Sequence, residues 1–214
     1  MSKRKVLTVS SVILLALFGA GIVCFLRPAE KGGEVDLPAP SDYAGWLRLA
    51  ERGDALAQYN VGALLLEGEV VPRDVQAAVK WLVKAALQGD VDAQFNLGAL
   101  YAEGVGVPKS PADSVRWFRA AAEGGSVEAR HNLGYAYFRG NGVARDYAEA
   151  VKWFRLAADA GDRVSQYFLG DCLYVGFGVA KDRDEAIAWY GKSAAQGYRR
   201  AQERLAEINK GGRK

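Results

Sequence analysis

Cysteine, histidine and methionine are nearly missing from this chain: its 214 residues include two cysteines, one histidine and one methionine. Cys24 lies in an apolar run and Cys172 in a repeated segment, so no disulfide framework is available and stability has to come from packing. Cys172, beside Leu173 in a helical pattern, reads as a small buried hydrophobe rather than a reactive thiol. His131, the one histidine, excludes a multi-histidine metal site and leaves a histidine-based catalyst without an obvious partner. No serine–histidine–acid arrangement, recurring carboxylate pair or cluster of metal ligands is visible, so the expectation is no catalytic residue, no metal and no cofactor. An excess of one charge is lacking too. The formal net charge is +3, and residues 42–214 hold 23 Lys and Arg against 22 Asp and Glu, which removes the basic stripe that nucleic acid requires.

Half of the residues are apolar and a quarter charged, the ordinary balance of a folded chain. Lys3, Arg4 and Lys5 precede residues 6–26, an uncharged apolar stretch whose helical length matches a hydrocarbon core of about 30 Å. It reads as one N-terminal transmembrane helix. With the basic cluster in residues 1–5, the amino terminus stays in the cytoplasm and the rest is translocated. The alternatives are a cleaved signal, giving a secreted product, and a lipid-modified Cys24, for which Val23 is too large a neighbour. Residues 27–41 contain three prolines, two glycines and no aromatic, the composition of a flexible linker.

From there on the chain repeats. A Gly-x-x-x-Ala-Gln-x-Asn-Leu-Gly pattern or a near variant restarts at Gly53, Gly89, Gly125, Gly161 and Gly197, a fixed return that marks a stacked repeat array. Gly53-Asp54, Gly89-Asp90, Gly125-Ser126 and Gly161-Asp162 each end one helix and cap the next. In the first helix of a unit, Ala57, Val61 and Leu65 form an apolar stripe beside Gly62, and the glycine admits a close second helix. The connectors, such as Gly104-Val105-Gly106-Val107-Pro108, call for glycines at positive φ. Asp74, Ser110, Asp146 and Asp182 open the second helices, which carry Trp81, Trp117, Trp153 and Trp189, expected in the core.

Ala-Gln-x-Asn-Leu-Gly, then Gly-x-Gly-Val before an aspartate, then Ala-x-x-Trp-x-x-x-Ala-Ala: this pattern resembles the Sel1-like repeat family, relatives of tetratricopeptide repeats. The resemblance covers 42–214: a leading helix at 42–52, units at 53–88, 89–124, 125–160 and 161–196, and a capping helix at 197–210. It implies an all-α, right-handed α-solenoid of helix-turn-helix repeats whose concave face recruits a protein or peptide. Many members are adaptors, and some relatives carry a disulfide in each repeat, which this chain cannot.

Opposite the apolar stripe of the first helices, the copies differ. Tyr59, Phe95, His131 and Tyr167 form one row; Ala63, Ala99, Tyr135 and Asp171 form another. Exposed aromatics in a groove are good anchors, and packing against the next repeat is the equal alternative. Asn60, Asn96 and Asn132 hold the position that in tetratricopeptide relatives can bond a bound peptide, though they could as well face a neighbouring helix or solvent. The leading expectation is a membrane-anchored, non-catalytic adaptor or scaffold, single-pass in an inner bacterial membrane, its repeats binding a protein or peptide outside the cytoplasm. The alternatives are binding or hydrolysis of an envelope polymer such as peptidoglycan, and self-association. The last 18 residues carry a net +4, a solvated cap or a contact for an acidic partner.

Overall fold

The computed structural model describes Ala39 and residues 42–211. They form ten α-helices, α1 (Tyr43–Glu51), α2 (Ala55–Glu67), α3 (Val75–Leu87), α4 (Val91–Glu103), α5 (Pro111–Glu123), α6 (Val127–Arg139), α7 (Tyr147–Asp159), α8 (Arg163–Val175), α9 (Arg183–Ala195) and α10 (Arg199–Gly211). The result is an all-α array of paired helices. The tightest pairs are the two helices within each unit, α2 with α3, α4 with α5, α6 with α7 and α8 with α9. Among the described residues no helix is long and apolar enough to cross a membrane; the anchor expected at 6–26 and most of the linker lie outside them.

Local rules explain where each helix starts and stops. Every cap named from the sequence accepts a backbone N–H from the first turn, as Asp54 does from Ala57 at 2.7 Å and Asp90 from Ala93 at 2.8 Å. The first helices of the four units end on glycines in the left-handed region, Gly68, Gly104, Gly140 and Gly176. Gly142, at φ 74°, has no alternative residue, because a Cβ there would run into the backbone of Pro111.

Within a unit the mid-helix glycine receives a large side chain from the second helix. A Cβ on Gly62 would lie 2.8 Å from Leu82, on Gly134 2.8 Å from Phe154 and on Gly170 2.7 Å from Tyr190. Leu82, Phe154 and Tyr190 are fully buried and Phe118 nearly so. These residues, rather than the tryptophans beside them, are the centre of each unit. The tryptophans sit about 100° further round the helix; Trp81, Trp117 and Trp153 are half-buried, and only Trp189 is buried. The core expectation is corrected for those three, which lie at the edge of the core, while Trp189 takes the core place expected of it; Lys84 Nζ stands 3.9 Å from the Trp81 ring and Lys192 Nζ 3.7 Å from the Trp189 ring, each a cation–π contact.

The glutamine of the Ala-Gln motif ties unit to unit. Gln58 donates to Ala50 O at 3.1 Å, Gln94 to Ala86 O at 3.1 Å and Gln166 to Ala158 O at 3.1 Å. Each adds a second bond to a carbonyl at the end of the preceding helix, which also accepts the backbone N–H of Gly53, Gly89 or Gly161 at 3.0 Å. Gln88 then donates to Gln58 at 2.8 Å and Gln196 to Gln166 at 2.9 Å. The core runs along the array in two clusters, one from Trp46 to Leu100 and a second from Phe95 to Tyr190.

Candidate functional site

On each first helix the stripe opposite the glycine is built from residues at i, i+4, i+7 and i+11. In α6 it is Glu128, Asn132, Tyr135 and Arg139, and in α8 it is Val164, Phe168, Asp171 and Val175. These two stripes are open: Tyr135 is 40% exposed and Val175 46%, and Asn132, Phe168 and Asp171 are half-buried. The equivalent residues of α2 and α4 are closed off, for Asn60, Ala63, Asn96 and Ala99 are all 0% exposed.

The row of residues 59, 95, 131 and 167 turns toward the neighbouring helices. Tyr59 is fully buried and Phe95 is 6% exposed, the latter packed on Phe118 with ring centroids 5.6 Å apart. Tyr167 meets Tyr190 at 5.7 Å and Tyr198 at 5.4 Å. Of the two readings left open for this row, packing is the one these positions take. Tyr59, Asn60, Phe95 and Asn96 therefore present no surface to an outside partner, a correction to the expected groove. The reason is that a position's angle around its own helix does not reveal what lies over it.

Two clusters remain on the open half. In the first, His131 is stacked with Tyr135 at 6.4 Å and packed against Phe154 and Phe168, both at 5.9 Å, while Tyr135 meets Phe168 edge-on at 5.6 Å. His131 Nδ1 bonds Ser165 Oγ at 2.9 Å and faces Asp162 Oδ1 at 3.7 Å. Adjacent units thus bring serine, histidine and acid together, which the sequence alone left unseen. A relay needs hydroxyl and acid on opposite ring nitrogens. Here both face Nδ1, Ser165 is fully buried, and Asp162 accepts from Ser165 N at 2.6 Å as the cap of α8. The cluster locks α6 to α8. Burial pushes the imidazole below the usual histidine range, against the opposing charge of Asp162.

The second cluster is polar. Asp171 accepts from the Tyr190 hydroxyl at 2.6 Å, and Arg204 Nε of α10 lies 4.0 Å away. Arg204 also donates to Glu207 at 3.2 Å and stacks over Tyr174, 4.9 Å from the ring centre. Burial, with the Asp171 charge added, pushes Tyr167 up to about 12. Burial first and then Asp171 raise Tyr190 in the same direction. Both phenols stay neutral donors. Of the sequence-expected residues, then, Asn132, His131 and Tyr135 come together on α6, with Tyr167 and Asp171 on α8. Phe168, which interrupts the asparagine row, proves to be the ring that joins them. Its signal was in the sequence, as the place where the copies break ranks.

Beside Tyr135 a cleft of about 220 Å³ opens between the end of α4, α5 and α6, lined among others by Glu103, Lys109, Ser114, Phe118 and Asn132. It offers one apolar wall, the two amides of Asn132 and Asn141 and charges of both signs, a set suited to a peptide side chain and backbone rather than to a cofactor. Among the described residues no group of His, Cys, Asp and Glu could hold a metal.

Four consecutive segments, residues 55–90, 91–126, 127–162 and 163–198, match the family model described as Sel1 repeat. Among solved structures, a protective antigen present in uropathogenic Escherichia coli strains and displaying an SLR fold is 38% identical over 80% of this chain, with a TM-score of 0.77. This chain spans only 37% of that protein's length. A Sel1 repeat protein from Oxalobacter formigenes is 36% identical, with 79% of this chain and 68% of that one covered and a TM-score of 0.69. Comparison with curated proteins yields no match.

Proposed function

The chain belongs to the Sel1 repeat family, and from that premise we propose that it is a membrane-tethered, non-catalytic adaptor that recruits a protein or peptide on the inner face of α6 and α8. As a Sel1-repeat protein it is a helical scaffold. The array winds as a right-handed superhelix, residues 6–26 anchor it in the inner membrane with the amino terminus in the cytoplasm, and residues 27–41 hold the repeats off the outer surface of that membrane. A similar fold in a protective antigen is in keeping with display outside the cytoplasm.

One observation carries the recruiting face: Tyr135 stands 40% exposed at the edge of a cleft, its ring held by His131 and Phe168. A rigid aromatic bordered by an amide and by both charges loses little rotamer entropy on binding. The test is cross-linking in intact cells with identification of the captured chain. Tyr135→Ala and Phe168→Ala, with helicity retained, abolish capture if the reading holds; capture unchanged by either refutes it. A reporter joined after Lys214 is active only outside the cytoplasm on this reading, and activity only inside refutes the topology.

A further inference from the structure

The second helices α3, α5, α7 and α9 repeat one pattern on the side away from the core, and α3 departs from it. Asp113, Glu149 and Glu185 are equivalent positions of α5, α7 and α9, and α3 has Ala77 there. Each of those acids holds a cation: Asp113 stands 3.8 Å from Arg116, Glu149 bonds Lys152, and Glu185 meets Arg155 at 2.8 Å. No acid occurs in Val75–Leu87, so Lys80 and Lys84 have none on their own helix. Arg48 on α1, in register with Lys84, is exposed as they are. The end of the helix differs as well. The position that is Glu51 on α1, Glu123 on α5 and Asp159 on α7 is Leu87 on α3, and Leu87 is 74% exposed. A shallow depression of about 500 Å³ on this face is lined by Ala77, Val79, Lys80, Trp81, Val83 and Lys84, all of them on α3. Its lining is thus apolar apart from two lysines, one of which lies over the Trp81 ring.

We propose that this outer face of α3 rests on an anionic phospholipid surface and seats the first unit on the membrane; the inference rests on the reading of residues 6–26 as an anchor. The side chains suit a headgroup layer. An indole with one wet edge belongs at the depth where apolar and polar regions meet. Lysines lay their stems along apolar surface and raise their ammonium groups to phosphates. An anionic leaflet attracts Lys80, Lys84 and Arg48, and α3 offers no carboxylate to oppose it. Position in the chain selects the same unit. The fold begins at Ala39, whose carbonyl accepts from Asp42 N at 2.8 Å and from Trp46 Nε1 at 3.0 Å on α1, and α1 packs on α2 as α2 does on α3. Even fully extended, residues 27–38 span at most about 40 Å, which keeps the first unit within reach of the lipid. The linker sets the furthest distance of the repeats from the membrane, and α3 sets the resting one. The open stripes of α6 and α8 lie opposite the glycines that meet the second helices, so docking through α3 turns the recruiting face away from the lipid.

An environment-sensitive fluorophore in the full chain tests this. Leu87→Cys, in a chain that also carries Cys24→Ser, is labelled with nitrobenzoxadiazole, the buried Cys172 staying unlabelled. The chain is reconstituted into vesicles of phosphatidylcholine alone or of phosphatidylcholine and phosphatidylglycerol in equal parts. Emission from position 87 shifts to the blue in the mixed vesicles and not in phosphatidylcholine alone. Lys80→Glu with Lys84→Glu returns it to the aqueous value with helicity unchanged, and the same label at Asp159→Cys, the matching place on α7, shifts in neither lipid. No shift at position 87 in the mixed vesicles overturns the inference, as does an equal shift at position 159 or one unmoved by the charge reversal. A shift equal in the two lipids overturns it too, and its growth with the number of chains per vesicle assigns the face to a second copy. Flotation with phosphatidylcholine vesicles reports the anchor by itself, and capture at Tyr135 reports the recruiting face, so failure of α3 to dock is distinguishable from failure of the proposed function.

Discussion

The Tyr190 hydroxyl donates to Asp171 at 2.6 Å, and this bond ties α9 to α8 at the point where Arg204 of α10 approaches the same carboxylate at 4.0 Å. One acidic side chain therefore organises the end of the array. Tyr190→Phe removes the donor while keeping the ring that fills the space over Gly170. A hydrogen bond to a charged group contributes about 1.5–3 kcal/mol, and Asp171, 26% exposed, recovers part of that from water. The expected loss is about 1–2 kcal/mol in urea unfolding followed by circular dichroism.

Gly134→Ala separates close packing from helix propensity. Alanine at a helix interior gains about 1 kcal/mol over glycine, but its Cβ would stand 2.8 Å from the Phe154 ring and 3.3 Å from Ala150 O. Overpacking costs about 1–3 kcal/mol, so the single variant is neutral to destabilising. Combined with Phe154→Leu, it loses less than the sum of the two single changes in the same unfolding experiment.

His131 makes stability depend on pH in one direction. The unfolded ring titrates near about 6.5, and burial holds the folded ring lower. Below the unfolded value the unfolded chain binds the proton first. Stability is therefore whole above that pH and falls as the pH drops through it toward the folded value. His131→Gln flattens this part of the profile, as chemical unfolding at a series of pH values will show.

Burial, and then the Asp171 charge, push the Cys172 thiol up to about 12, and the residue is 0% exposed. At neutral pH the thiol is protonated and out of reach. Iodoacetamide modifies it only after urea is added, as mass spectrometry of the Cys172 peptide will record.

What could be read from the sequence was what short-range chemistry decides. Asp54, Ser110 and Asp162 announce helix starts because a short oxygen-bearing side chain must satisfy the first turn. Gly104 and Gly142 announce turns because φ is positive there. The return at fixed spacing made the array certain before any contact was seen. What escaped was phase and cover. Trp81 and Leu82 are neighbours, and bulk alone favours the tryptophan for the core, yet the glycine of α2 faces Leu82. Ser165 and His131 are 34 residues apart, nearly one repeat, so the spacing could have paired them had neighbouring units been compared at matching positions. Tyr59 and Tyr135 lie on comparable parts of equivalent helices, and only the packed array tells that the first is buried and the second open.

The central claim is that the inner face at α6 and α8 is the recruiting surface. A photo-cross-linking amino acid at position 135, compared with one at position 156, where Leu156 is 47% exposed on α7, tests it most directly in intact cells. The account predicts one discrete adduct from position 135, lost with Phe168→Ala, and none from position 156; equal capture from both positions, or none from 135, would contradict it.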